Sequence, residues 1–258
     1  MRLATFNILH GRGLSDGKVD LDRFAAAVRG LDADVLALQE VDRDQPRSHQ
    51  ADLTAVAAEA MGATHHRFVA TLHGHPGTWT AATGEDQPDL AAYGIALLSR
   101  YPVTAWRVLT LPTLRRRVPM VHRGTRRPSL VQDEQRAALA AVVDTPDGPV
   151  TVVNTHLTFI TGWNVLQLRH LVRACHALPR PLAVTGDLNL EGGTPARVSG
   201  WRSAGRADTF PVEVPDRQID HVLLDGDVAP RSEPISVDTG MSDHRALVVD
   251  LAPGRALR

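Results

Sequence analysis

Cysteine is almost missing from this chain: Cys175 is the one thiol in 258 residues, which excludes an internal disulfide. Lysine is as scarce, with Lys18 alone among 28 basic residues, a bias that reads as GC-rich coding rather than mechanism. Charge of one sign is lacking too. The formal net charge is -1, so any attraction to nucleic acid, anionic lipid or acidic ligands has to be local. No apolar run approaches the length of a membrane span, and the opening "MRLATFNILHG" has no signal-peptide apolar core. The expected protein is soluble and cytoplasmic. Linkers and low-complexity stretches are absent as well, which predicts one domain over residues 1–258.

What is present is an alternation of strand-like and helix-like runs. "RLATFNIL" and "DVLALQEV" read as strands around a helix, "LDRFAAAVRGL", whose Leu21, Phe24, Ala25, Val28 and Leu31 recur at helical spacing behind Asp20 as N-cap. A second, Ala-rich helix is expected from about Ser48 to Met61, stopped by Gly62. After the strands "HHRFVATL", "GIALLS" and "VTAWRVLTL", the runs "RAALAAVVD" and "VTVVNTHL" are joined by the turn "TPDG". The second half then echoes the first: strand "VTVVNTHL", helix "WNVLQLRHLVRACHAL", strand "PLAVTGDLN", and the short strands "IDHVLL" and "RALVVDL". Two related β-α-β layers packed face to face would deliver their strand ends to one cleft. The fold class expected is α/β, a four-layer sandwich of two packed mixed β-sheets flanked by helices.

The strand ends carry the chemistry. Asn7, Glu40, Asn154 with His156, Asp187 with Asn189, Asp220, and the pair Asp243 and His244 each interrupt an otherwise apolar strand. Any one of them reads as an ordinary turn; all of them together read as a site. In an extended segment Asp187 and Asn189 leave on the same side, so the two are expected to converge.

At these residues the chain resembles the endonuclease/exonuclease/phosphatase superfamily, with its deoxyribonuclease-I-like fold. "TFNILHG", "LALQEVD", "YGIALLSRYPV", "VVNTHL", "TGDLN", "QIDHVLL" and "SDHRALVVDL" stand in the family's order and cover nearly the whole chain. The resemblance implies a phosphoester hydrolase dependent on Mg²⁺ or Mn²⁺. It implies Glu40 as the main metal carboxylate, with Asn7 and Asp243 as further ligands, since a hard cation favours oxygen donors. It makes Asp187, beside Asn189, the group that orients or deprotonates the attacking water. His244 would face the scissile phosphate and Asp220 would fix its tautomer and support its charge. His156, with Asn154 beside it, would hydrogen-bond the phosphate or protonate the leaving oxygen. Two departures stand out: Ile95 occupies a position where the family often has Asn, and His156 one where the apurinic-site repair branch tends to carry Tyr.

Other polar residues read differently. His221 should face away from Asp220 and be structural. "HGH", His73–His75, reads as a solvated loop, and Cys175 as a buried filler in a helix. His10 lies just past Asn7 and is a candidate substrate contact. Leu111–Gln132 holds six arginines and no acid, so Arg115 and Arg116 are expected to bind substrate phosphate. With no aromatic interleaved there, a stacking platform for single strands is disfavoured. The expected function is phosphodiester hydrolysis on a nucleic acid, lipid or small molecule by a monomer. A phosphomonoesterase of inositols or nucleotides, and a non-catalytic phosphate-binding module of the same fold, are the alternatives.

Overall fold

A computed structural model describes residues 1–82, 90–121 and 128–254. In chain order its regular elements begin with β1 (Arg2–Asn7), α1 (Leu21–Leu31), β2 (Val35–Arg43), α2 (Leu53–Met61), β3 (His65–His73), β4 (Thr80–Ala81), β5 (Ala92–Ser99) and β6 (Val103–Thr110). Then come β7 (Val118–Val121), β8 (Pro128–Val131), β9 (Ala137–Thr145), β10 (Gly148–His156), α3 (Trp163–Cys175), β11 (Leu182–Asp187) and α4 (Thr194–Ser199). The last are β12 (Arg202–Ser203), β13 (Asp220–Asp225), β14 (Val228–Pro230), β15 (Ile235–Val237) and β16 (Ala246–Pro253).

The strands form two mixed sheets and a small hairpin of β7 and β8. One sheet runs β14-β16-β1-β2-β5-β3-β4 with β15 also on β16; the other runs β12-β13-β11-β10-β9-β6. The doubled pattern in the sequence corresponds to two parallel pairs, each crossed by a helix: β1 with β2, where Asn7 faces Gln39, and β10 with β11, where His156 faces Asp187.

Burial parity explains the layers. In β1, Leu3 packs between the sheets, whereas Ala4 and Phe6 face α1 and α2 with Phe24, Val28, Leu31 and Leu53. In the second sheet Val152, Ala183, Val222 and Leu224 face the first sheet, while Val153, Val184 and Leu223 face the α3 side with Leu168, Leu171 and Cys175. The order is therefore helix, sheet, sheet, helix, the four-layer sandwich expected. Each large aliphatic or aromatic side chain withdrawn from water in these clusters contributes roughly 1.5–3 kcal/mol before chain entropy is charged against it.

Two boundaries differ from the sequence reading. The second helix begins at Leu53, because the Asp52 carboxylate accepts from the N–H groups of Thr54 and Ala55 at 2.8 and 3.1 Å, and Pro46–Ser48 forms a separate 3₁₀ turn. His73 is the last residue of β3 and is buried, not part of a solvated loop.

Candidate active site

The same parity selects the polar residues. Counting along each strand from the core residues that face the other sheet, Asn7, Asn154, His156, Asp187 and Asp220 all fall on the inter-sheet side. Asn7, His156, Asp187 and Asp220 stand at strand ends, and Asn154 lies two residues deeper.

Glu40 reaches the site by a different device. A β-bulge interrupts the β2–β5 register between Gln39 and Val41, and Glu40 sits in it with φ 58°. The extra residue lets Gln39 and Val41 keep their core positions while Glu40 is swung out of the ladder. Its Oε1 accepts from Asn7 Nδ2 at 3.1 Å, and the same nitrogen donates to Asp187 Oδ2 at 3.1 Å. One amide thus ties a carboxylate of the first sheet to one of the second. Burial, with Asp243 nearby, holds the Glu40 carboxyl above its ordinary range despite the Asn7 hydrogen bond.

Asp187 is the centre of the cluster. It is 2% exposed, and burial lifts its pKa to about 7 against the opposing pull of His244 and of the Asn189 and Asn7 hydrogen bonds. Two imidazoles approach the same Oδ2: His156 Nε2 at 3.4 Å and His244 Nε2 at 3.7 Å. They are in opposite charge states. Burial, together with the positive charges of Arg136 and His244, drives the His156 pKa well below 6.5, so its ring is neutral. Burial also pulls on His244, but Asp220, Asp187 and Asp243 overcome it and raise its pKa to about 10. His244 Nδ1 donates to Asp220 Oδ2 at 2.9 Å, and Thr209 Oγ1 donates to the same oxygen at 2.5 Å. Asp220 Oδ1 is buried without a partner among the described residues. The ring of Phe210 packs against His244 with centroids 4.9 Å apart.

The position before Asp187 has to be glycine. At Gly186, φ is 138° and a Cβ would lie 1.8 Å from the Thr155 carbonyl oxygen of the neighbouring strand. The two strands are pressed together where they present His156 and Asp187.

Three expectations are corrected. Asn154 is committed between the sheets: it is fully buried, its Nδ2 donates to the Leu38 and Ala96 carbonyls at 2.8 Å each, and its Oδ1 accepts from Gln39 Nε2 at 2.7 Å. It pins one sheet to the other. Asn189 does not lie on the strand with Asp187, since β11 ends at Asp187 and Asn189 is left-handed with φ 50°. Its backbone N–H donates to Asp187 Oδ1 at 2.9 Å while its Nδ2 donates to the Leu157 carbonyl at 3.0 Å. The link to the carboxylate is thus through the main chain. Asn7 turns its nitrogen, not its oxygen, toward the two carboxylates, and its Oδ1 accepts from Leu9 N–H at 3.2 Å; oxygen ligation would need the amide turned over.

Arg115 and Arg116 are exposed and form no ion pair with the cluster among the described residues, and Arg123, Arg126 and Arg127 lie outside those residues. His221 is buried and its Nε2 donates to the Leu190 carbonyl at 2.7 Å, a structural contact. Burial pushes the Cys175 thiol up to about 12. Residues not singled out from the sequence also border the site. Arg136, 4% exposed and paired with Glu134 at 3.1 Å, acts electrostatically on His156 and Glu40, and Gln39 bridges Thr5 and Asn154. Arg136 stands one residue before β9, where a buried cation facing apolar neighbours is the signal to look for.

A family model for the endonuclease/exonuclease/phosphatase family matches residues 4–244. The chain belongs to this family. Its members include metal-dependent phosphoesterases such as nucleases and phosphatases. The solved structure of an endonuclease/exonuclease/phosphatase from Beutenbergia cavernae is similar with a TM-score of 0.72 and 25% identity, over 98% of this chain and 72% of that one. A mannosyl-6-phosphatase of Bacteroides thetaiotaomicron is similar with a TM-score of 0.64 and 15% identity, over 98% and 99% of the two chains. A Staphylococcus aureus beta toxin with bound magnesium ions is similar with a TM-score of 0.62 and 14% identity, over 96% and 98%. No curated protein matches the chain. Among the described residues no helix is long and apolar enough to cross a membrane.

The donors present fit a hard divalent cation. Oxygens of Glu40 and Asp187 converge on one amide nitrogen, burial disfavours the charged form of both, and a cation beside them would relieve that cost. Asp187, Asp220 and His244 also place one potential donor each within 4.8 Å of one another. That trio is less suited to an ion, because a charged His244 has no free lone pair and its Nδ1 is already committed to Asp220.

Proposed function

We propose that this protein is a phosphodiesterase that hydrolyses its substrate by in-line attack of water, with a divalent cation, Mg²⁺ or Mn²⁺, held by Glu40, Asp243 and a turned-over Asn7. The observation that carries the reading is Asp187, buried between one neutral and one charged histidine. A carboxylate whose pKa lies about 7 is matched to taking a proton from water near neutral pH. When bound, the cation supplies charge neutralisation for the anionic phosphoryl group.

The chain's own groups divide the rest. Asp187 holds the attacking water in line and accepts its proton as the new P–O bond forms. His244, kept charged by Asp220, offers Nε2–H to the phosphoryl group and is the proton source for the departing oxygen as the old P–O bond breaks. Neutral His156 donates a hydrogen bond to a non-bridging oxygen. The Asn189 backbone N–H fixes the Asp187 carboxylate through Oδ1.

A second reading, phosphomonoester hydrolysis, is favoured by Arg136. Its buried charge, which acts on His156, is a second cation besides His244, which suits a dianionic monoester, and a structural neighbour is a mannosyl-6-phosphatase. The test is a panel of bis(p-nitrophenyl) phosphate, plasmid DNA, sphingomyelin and p-nitrophenyl phosphate, each with Mg²⁺, Mn²⁺ or EDTA. Metal-dependent hydrolysis of a diester, reduced on the order of 10²–10⁴-fold by Asp187→Asn, is expected. Monoester turnover alone selects the second reading, and no turnover of any substrate removes the enzymatic claim.

A further inference from the structure

Beside the cluster just described opens a separate cavity of about 380 Å³, lined by His10, Arg12, Lys18, Arg47 and His49 with two small apolar neighbours and no acid. The nearby carboxylates are turned elsewhere. Asp16 and Asp20 pair with Arg23 at 2.8 and 3.8 Å, and among the described residues neither Arg12 nor Lys18 pairs with an acid. Arg47 is braced from behind: the fully buried Asp42 accepts from its Nε and Nη2 at 2.8 and 2.7 Å. Its guanidinium is thereby held in a fixed plane near the rings of Trp79 and Tyr93.

The loop that lines the cavity is tied to the site by hydrogen bonds. Leu9 and His10 are both left-handed, φ 44° and 48°, and the turn they make is tied to Asn7 by the Leu9 N–H. On the other wall the Arg12 carbonyl accepts from Ser242 N–H at 3.0 Å, immediately before Asp243 and His244. Strained non-glycine backbone at two successive positions marks a loop shaped by something other than local preference. It places cationic side chains within one loop of the carboxylate cluster.

We propose that this cavity receives a second phosphate of the substrate, so that the preferred substrates are small molecules carrying a phosphate in addition to the phosphoester that is cleaved. This rests on the phosphoester reading of the adjacent cluster. A small, concave and basic recess fits one compact anion, whereas a polymer backbone would need a longer basic track. Arg47 supplies planar donors for phosphate oxygens, and Arg12 and Lys18 supply mobile charge at the mouth.

The cavity can be tested without turnover. In EDTA, inorganic phosphate is titrated by calorimetry into the wild-type protein, into Arg12→Ala/Lys18→Ala and into Asp187→Asn. Binding weakened about tenfold or more in the double variant and retained in Asp187→Asn supports the site; equal binding in the wild type and the double variant overturns it. With Mg²⁺ or Mn²⁺, KM is then compared for thymidylyl-thymidine with and without a 5′-phosphate. A ratio of about ten in the wild type that falls to about one in the double variant is expected. A wild-type ratio of one, or a further large gain for long oligonucleotides, overturns the small-molecule assignment. If neither dinucleotide is hydrolysed while the calorimetric difference holds, the anion site stands and the phosphodiesterase reading falls.

Discussion

Asp220→Asn isolates the electrostatics of the site from its chemistry. The substitution keeps the shape and leaves an oxygen able to accept from Thr209 or His244, but removes the charge that faces His244 Nδ1 at 2.9 Å. In the intact protein His244 is lifted from 6.5 to about 10 although burial alone would lower it. At about 1.4 kcal/mol per pH unit, that rise is worth on the order of 5 kcal/mol in favour of the charged ring, and breaking a buried ion pair from one side costs about 3–5 kcal/mol. The two figures agree closely enough to expect about 3–5 kcal/mol of lost stability near neutral pH. The pH dependence has a definite sign. A histidine whose folded pKa is raised contributes stability that is complete below 6.5 and lost as pH rises through about 10. The gap between wild type and Asp220→Asn should therefore be widest near pH 6 and close toward pH 10. Urea unfolding across that range measures it, with the His244 ring proton followed by NMR in EDTA. In the wild type that proton should not titrate below about pH 9, and in the variant it should titrate at or below 6.5. A variant ring that still titrates above 8 would show that Asp220 is not what holds the charge, and the division of roles between the two histidines would fail with it.

The remaining expectations are narrower. Asn154→Leu removes the side-chain donor to the Leu38 and Ala96 carbonyls and one of the acceptors of the Gln39 amide, so a loss of about 3–5 kcal/mol is expected, with KM unchanged in whatever protein stays folded; a raised KM with full stability would restore Asn154 to the substrate. The rate should need Asp187 ionised and His244 protonated, which sets an acid limb at or below about 7, lower still with a cation bound, and an alkaline limb near 10. A kcat/KM profile from pH 5 to 10.5 with Mg²⁺ checks this, and an alkaline limb below 8 contradicts it.

Much of the architecture was legible because strand and helix periods are local properties. The β1-α1-β2 and β10-α3-β11 units were visible as apolar runs with polar ends, and the Asp20 cap of α1 was placed correctly, its carboxylate accepting from Arg23 N–H at 2.9 Å. The start of α2 was missed because Pro46–Ser48 is also helical in character; only the engagement of Asp52 decides where the helix begins.

The residues of the cluster were legible one by one, yet how each is used depended on contacts far apart in the chain. Asn154 and His156 share a face and differ by two positions, and that distance along the strand separates a bolt between the sheets from a group at the strand end beside Asp187. Parity along Asp187 and Asn189 failed because the strand stops at Asp187. Glu40 looked like an ordinary strand end until the bulge appeared, since a bulge is a property of the β2–β5 pairing and not of either strand.

By itself the sequence determined the alternation of elements, the faces that must be buried, and the kinds of polar group left at the strand ends, because these follow from spacing and side-chain chemistry. The tertiary structure alone decided that His156 is neutral and His244 charged, and that the basic side chains of the Leu9–Arg12 turn and of Arg47 line one cavity. Charge state and convergence depend on burial and on neighbours as distant as Asn7 and Asp187, 180 positions apart, and those distances exist only once the sheets have closed on each other.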